Sequence, residues 1–113
     1  MSSVVDYSST YDPDVDFDAW YTDVTAAAVV DHIRDGDRVL ELGCATGRMS
    51  ARLARAGAEI LGVDRSATYV ERATQRNLPA TRFVVGDVEE HVRRERRRRT
   101  RRARPARAAG WWR

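Results

Sequence analysis

The 113-residue chain contains no lysine; all 20 of its basic residues are arginine. A bias that complete points to GC-rich coding rather than to 20 separate functional demands. Cysteine is almost as scarce. Cys44 stands alone, which excludes an intramolecular disulfide, and with only His32 and His91 beside it no spacing marks a zinc or iron site. Long apolar runs are missing too. The stretch Ala26 to Val30 falls far short of the 18 to 20 residues of a membrane span, and the start lacks the basic and apolar regions of a secretory signal. These absences predict a cytoplasmic protein with no membrane partner and no structural metal.

What the chain does contain is unevenly placed. Residues 1–92 hold nine arginines against sixteen acidic residues, a formal −7, whereas residues 93–113 hold eleven arginines against Glu95, a formal +10. Composition divides the chain into an acidic, aromatic arm over residues 1–18, a region of alternating elements over 19–90, and an arginine-rich tail over 91–113. In the arm, aspartates alternate with aromatics and Pro13 interrupts any helix. It reads as a solvated segment with a few aromatics tucked in, or as a lid over a ligand.

From Asp18 the apolar spacing of Ala26, Val29, Val30 and Ile33 predicts a helix, stopped by Gly36. Short apolar runs at Arg38 to Leu42, Glu59 to Val63 and Thr81 to Val85 predict strands. Helical spacing fills the gaps at 46–56 and from the cap candidate Ser66 to about 76, where Tyr69, Val70 and Ala73 share a face. Strands alternating with helices require crossovers, hence a parallel sheet in an α/β, Rossmann-like architecture with about three strands and flanking helices.

Open parallel sheets bind ligands beyond the carboxyl ends of their strands. Each of the three ends here carries a carboxylate: Glu41 before Gly43-Cys44-Ala45-Thr46-Gly47, Asp64 before Arg65, and Asp87 before Val88. Small residues at 43, 45 and 47 let the backbone turn sharply and approach a ligand. Asp64 follows Gly43 at nearly the offset where an acid meets ribose hydroxyls in dinucleotide folds, but the glycines such a fingerprint puts at 45 and 48 are Ala45 and Arg48, which disfavours NAD and FAD. A nucleoside-containing ligand fits.

The set Val39-Leu-Glu-Leu-Gly-Cys-Ala-Thr-Gly47, Leu61-Gly-Val-Asp64 and Gly86-Asp87-Val88 resembles the first three motifs of class I S-adenosylmethionine-dependent methyltransferases over residues 19–90. Ala45 departs from the family's usual glycine. The resemblance implies S-adenosyl-L-methionine as cofactor, with Glu41 orienting the loop and the methionine amine. Gly43, Cys44, Ala45 and Gly47 would pass beneath the methionyl and ribose portions, and Asp64 would accept the ribose hydroxyls. Asp87 would take the adenine amine, with the Val88 N–H and Arg65 beside the ring. It implies methyl transfer to a small-molecule acceptor, and it offers no catalytic base. Cys44 reads as a buried filler, and both histidines read as surface residues.

The family's α/β core is about twice as long, with strand one at its centre, so this sequence predicts a partial domain. Its strand-one edge would be exposed and open to self-association. The tail lacks apolar alternation. A helix could continue a turn or two past strand three on the pairs Glu89–Arg93 and Glu90–Arg94, but repulsion among Arg96 to Arg99 opposes it. Three readings stay open for the tail: the product of a shifted or truncated frame, a solvated appendage or partner-binding arm, and a nucleic-acid-binding arm in which arginines meet phosphates and Trp111 and Trp112 stack on bases. The last makes the alternative function, a noncatalytic nucleic-acid-binding protein.

Overall fold

A computed structural model describes residue 6, residues 8–15 and residues 17–101, with only the backbone described at 17 and 18. Seven elements follow in order: α1 (Phe17–Val30), β1 (Arg38–Leu42), α2 (Arg48–Arg55), β2 (Glu59–Asp64), α3 (Ala67–Thr74), β3 (Thr81–Val85) and α4 (Val88–Arg101). The three strands form one parallel sheet in the order β1-β2-β3. Both crossovers step in the same direction across the sheet, so a common right hand places α2 and α3 on the same face.

That face carries the main core. Leu53, Ala54, Ala58 and Ile60 are buried, and Val29, Val30, Ile33, Val39, Met49 and Leu78 pack around them. Strand alternation fixes which residues take part, because Val39 pairs with Ile60 while Leu40 pairs with Leu61 on the opposite face. On that second face α4 brings His91 and Glu95 against a groove lined by Leu40, Leu61 and Val84. β2 alone has a strand on each side, and four of its six residues are buried. Local signals agree with the elements: Ser66 Oγ caps α3 by accepting the Tyr69 N–H at 3.1 Å, and Tyr69, Val70 and Ala73 are its buried face.

The region after β3 differs from the sequence expectation. α4 runs through Arg101, across the boundary drawn at residue 90 and through the arginine run whose repulsion was expected to oppose it. Asp87 Oδ1 caps the helix by accepting the N–H groups of Glu89 at 2.7 Å and Glu90 at 3.2 Å. Three i,i+4 pairs then offset the repulsion, Arg93–Glu89 at 2.6 Å, Arg94–Glu90 at 3.3 Å and Arg99–Glu95 at 3.7 Å. Arginine is also a good helix former, and exposed guanidinium groups repel weakly through water. Residues 102–113, with Pro105 and both tail tryptophans, lie outside the described residues, as do residues 1–5, 7 and 16 of the arm.

Candidate cofactor-binding site

The β1–α2 loop folds back over the end of β2. The N–H groups of Gly43 and Cys44 both donate to the Val63 carbonyl, at 2.7 and 3.0 Å. Ala45 then takes a left-handed backbone, φ +48°, and its N–H donates to Asp64 Oδ1 at 3.1 Å. For a residue with a Cβ that conformation costs about 1 kcal/mol, which the Asp64 contact offsets. Gly47 turns the chain again at φ +81°, where an added Cβ would sit 3.1 Å from Phe83 and 3.2 Å from Ala73. Gly62 makes room from below, since a Cβ there would fall 2.6 Å from the Phe83 ring and 3.0 Å from the Cys44 Cβ.

Asp64 therefore joins two loops. Its Oδ1 holds Ala45 and its Oδ2 accepts the Ser66 N–H at 3.0 Å, which leaves each oxygen further lone pairs. The β3 end lies alongside, because the Gly86 N–H donates to the Asp64 carbonyl at 3.0 Å. Asp87 and Arg65 are exposed at these ends, and Val88 opens α4. The structure thus gathers Glu41, Gly43, Cys44, Ala45, Gly47 and Asp64 around one loop, with Asp87 and Val88 at the neighbouring strand end.

Glu41 faces a cleft of about 210 Å³ lined among others by Pro13, Thr22, Gly43, Thr46 and Arg48. Burial pushes its carboxyl up to about 7, although a hydrogen bond from Ser50 Oγ to Glu41 Oε1 works in the opposite direction. Cys44 is buried, and burial with the nearby carboxylates of Glu41 and Asp64 pushes its thiol far up. Its buried position against Gly62 suits a small space-filling side chain. His32 is exposed, but His91 departs from the expected surface position: it is half-buried and its ring lies over Gly86.

Sequence reasoning missed three contributors. Ser50 is fully buried on α2; the available signal was a polar residue at the helical positions facing the core, among Thr46, Leu53 and Ala54. Thr46, also buried, donates through Oγ1 to Asp14 Oδ1 at 2.8 Å. Asp14 is the third. It accepts Arg72 at 2.7 Å and Arg76 at 3.3 Å and lies 3.8 Å from Arg48, while Arg72 also reaches Asp12 at 3.1 Å. The Tyr69 hydroxyl donates to the Tyr11 carbonyl at 2.5 Å. The described part of the arm is thus fastened over α2 and α3, and Pro13 forms part of the cleft wall.

Comparison with known proteins agrees with this geometry. Residues 39–98, more than half of the chain, match a family described as methyltransferase domain. A trans-aconitate 2-methyltransferase of Deinococcus radiodurans is 42% identical over 55 residues, 47% of this chain but 21% of that protein. The chain therefore spans about a fifth of the curated relative it matches. Magnesium protoporphyrin IX methyltransferase from Synechocystis PCC 6803, solved with bound S-adenosylhomocysteine, superposes with a TM-score of 0.54 at 28% identity, covering 68% of this chain and 42% of that one. A Geobacter sulfurreducens S-adenosylmethionine-dependent methyltransferase in complex with S-adenosyl-L-homocysteine gives 0.50 at 30% identity, covering 58% and 28%. The sheet order, the loop bent over β2 and the sequence match agree: this chain belongs to the methyltransferase domain family.

Proposed function

We propose that the chain is the cofactor-binding portion of a class I S-adenosylmethionine-dependent methyltransferase whose acceptor is a small molecule. The observation that carries this is Asp64, held by two backbone N–H groups beneath the turned β1–α2 loop while its oxygens keep further lone pairs. A carboxylate fixed in that way is preorganised for a pair of vicinal hydroxyls, such as those of a ribose. Glu41, in the adjoining cleft, offers a negative charge to an ammonium group. The loop from Gly43 to Gly47 leaves the first N–H groups of α2 with no acidic residue in the first turn to compete for them. Asp87 and the Val88 N–H offer an acceptor and a donor at the β3 end, with Arg65 beside them.

The bound cofactor supplies an electrophilic sulfonium methyl. This chain's part is to bind and orient it, and methyl transfer of this kind gains most of its rate from holding donor and acceptor together. No residue of the chain is assigned as a base. The one thiol, buried and unpaired, suits a reducing compartment, and we place the protein in the cytoplasm. No helix among the described residues is long and apolar enough to cross a membrane.

Calorimetry with S-adenosylhomocysteine tests the reading. The wild-type chain should bind, and Asp64→Ala should weaken binding roughly 10- to 100-fold, the effect of losing a charged acceptor. Equal affinity for both proteins removes Asp64 from the site. A second reading is favoured by α4, where Arg93, Arg96, Arg97 and Arg101 line one surface recess. If that helix and the tail bind nucleic acid, affinity should fall steeply with salt, by a log–log slope of about −0.9 per phosphate neutralised, and should vanish when residues 93–113 are deleted. Cofactor binding should survive the same deletion.

A further inference from the structure

Glu41 and Ser50 are nine residues apart, on β1 and α2, and their side chains meet behind the cleft rather than within it. Ser50 has no accessible surface, and its hydroxyl donates to Glu41 Oε1. A carboxylate in this position accepts that bond gladly, whereas a protonated carboxyl gains less from it. We propose that Ser50 is a positioning residue: its hydroxyl aims Glu41 and favours its ionised form, so that the cleft takes an ammonium-bearing ligand as the protonated Glu41 carboxyl releases its proton to solvent.

This rests on the cofactor reading above and adds to it a residue and a proton. The geometry supports the proton, because Glu41 shares the lining of a small cleft with Pro13, Thr22, Met49 and the loop. The charged and titratable groups around it are few. Cys44 is held neutral by burial, Arg48 lines the same cleft but is engaged by Asp23 at 3.0 Å and approached by Asp14, and Asp64, like Glu41, is near enough to Cys44 to raise its thiol. Among the described residues no cation forms an ion pair with Glu41, which agrees with burial pushing its carboxyl up to about 7. An arriving ammonium group supplies the missing charge, and the carboxyl must give up its proton to meet it.

The test is calorimetry with S-adenosylhomocysteine from pH 5.5 to 9 on wild type, Ser50→Ala, Glu41→Gln and the double variant. Ser50→Ala should move the midpoint of the wild-type affinity profile upward by about one unit, the consequence of removing one hydrogen bond to a charged acceptor. Its affinity relative to wild type should then be down about 8-fold at pH 6.5 and less than about 1.5-fold at pH 9. In the Glu41→Gln background Ser50→Ala should have no effect. A uniform loss at every pH, an unmoved midpoint, or an undiminished effect in the Gln background overturns the proposal. Carbon NMR of the Glu41 carboxyl in the ligand-free protein keeps the two readings separable. Should the wild type bind no S-adenosylhomocysteine, the cofactor reading fails, yet a higher Glu41 midpoint in Ser50→Ala still supports the role of Ser50, and an unchanged one rejects it.

Discussion

Glu41 couples the site to the stability of the fold. Its carboxyl is raised from 4.5 to about 7 in the folded chain, so between those values the native state holds a proton that the unfolded chain has already lost. Stability from this group is therefore greatest below about pH 4.5 and falls as pH rises toward 7, by roughly 3 kcal/mol in all. Glu41→Gln removes the dependence. Urea unfolding should find the variant more stable than wild type at pH 8, with the advantage shrinking at pH 5; a constant difference at both values would mean that Glu41 is not desolvated. At this scale the sequence was legible for Glu41, Asp64 and the loop glycines, because small residues between a strand and a helix leave few alternatives. Ser50 was passed over: its spacing from Leu53 and Ala54 puts it on the buried face of α2, but the partner it meets there, Glu41, comes from β1 and is set by the packing of helix on sheet, which no local pattern shows.

Among the elements, the strands were read closely, since short β-rich runs bounded by turn residues have little freedom in length. The β1 and β3 bounds, Arg38–Leu42 and Thr81–Val85, coincide with the sequence reading, and β2 extends one residue further to Asp64. α4 was underestimated because the repulsion of neighbouring arginines was weighed above the pairs Glu89–Arg93 and Glu90–Arg94, and because the third pair, Glu95–Arg99, which lies within the arginine run, was not counted. The arm is a different case. Its aspartates looked solvated, yet their partners, Arg72 on α3 and Arg76 in the turn after it, lie about 60 residues away, beyond any local pattern. Asp14→Ala should free this segment while leaving the sheet intact. Chymotryptic cleavage after Tyr11 should accelerate about 5- to 30-fold, corresponding to about 1 to 2 kcal/mol for several partly exposed ion pairs acting together. Raising the salt concentration should reduce the difference, and a rate unchanged by the substitution would show that Asp14 does not fasten the arm.

For the molecule as a whole, the governing fact is a sheet of three strands with apolar residues at its margins. Leu42 at the end of β1 is 43% exposed and Val85 at the end of β3 is 52% exposed. Among the described residues no strand pairs with the outer side of β1. Light scattering at tens of micromolar should find the isolated chain self-associated, and a monodisperse monomer would mean that this edge is covered.

The same topology sets how firmly each part of the sheet is closed. An amide exchanges its hydrogen with solvent only when its hydrogen bond opens, and β2 can open only by breaking ladders on two sides, whereas β1 and β3 can peel away singly. Deuterium uptake should therefore be slowest through Glu59–Asp64 and faster in both outer strands. The loop from Gly43 to Ala45 is tied to Val63 and Asp64, so its amides should follow the slow strand more closely than an exposed loop ordinarily would. The consequence is that the candidate ligand-binding turn is clamped to the last part of the sheet to come apart, and it should keep its shape through fluctuations that fray the margins.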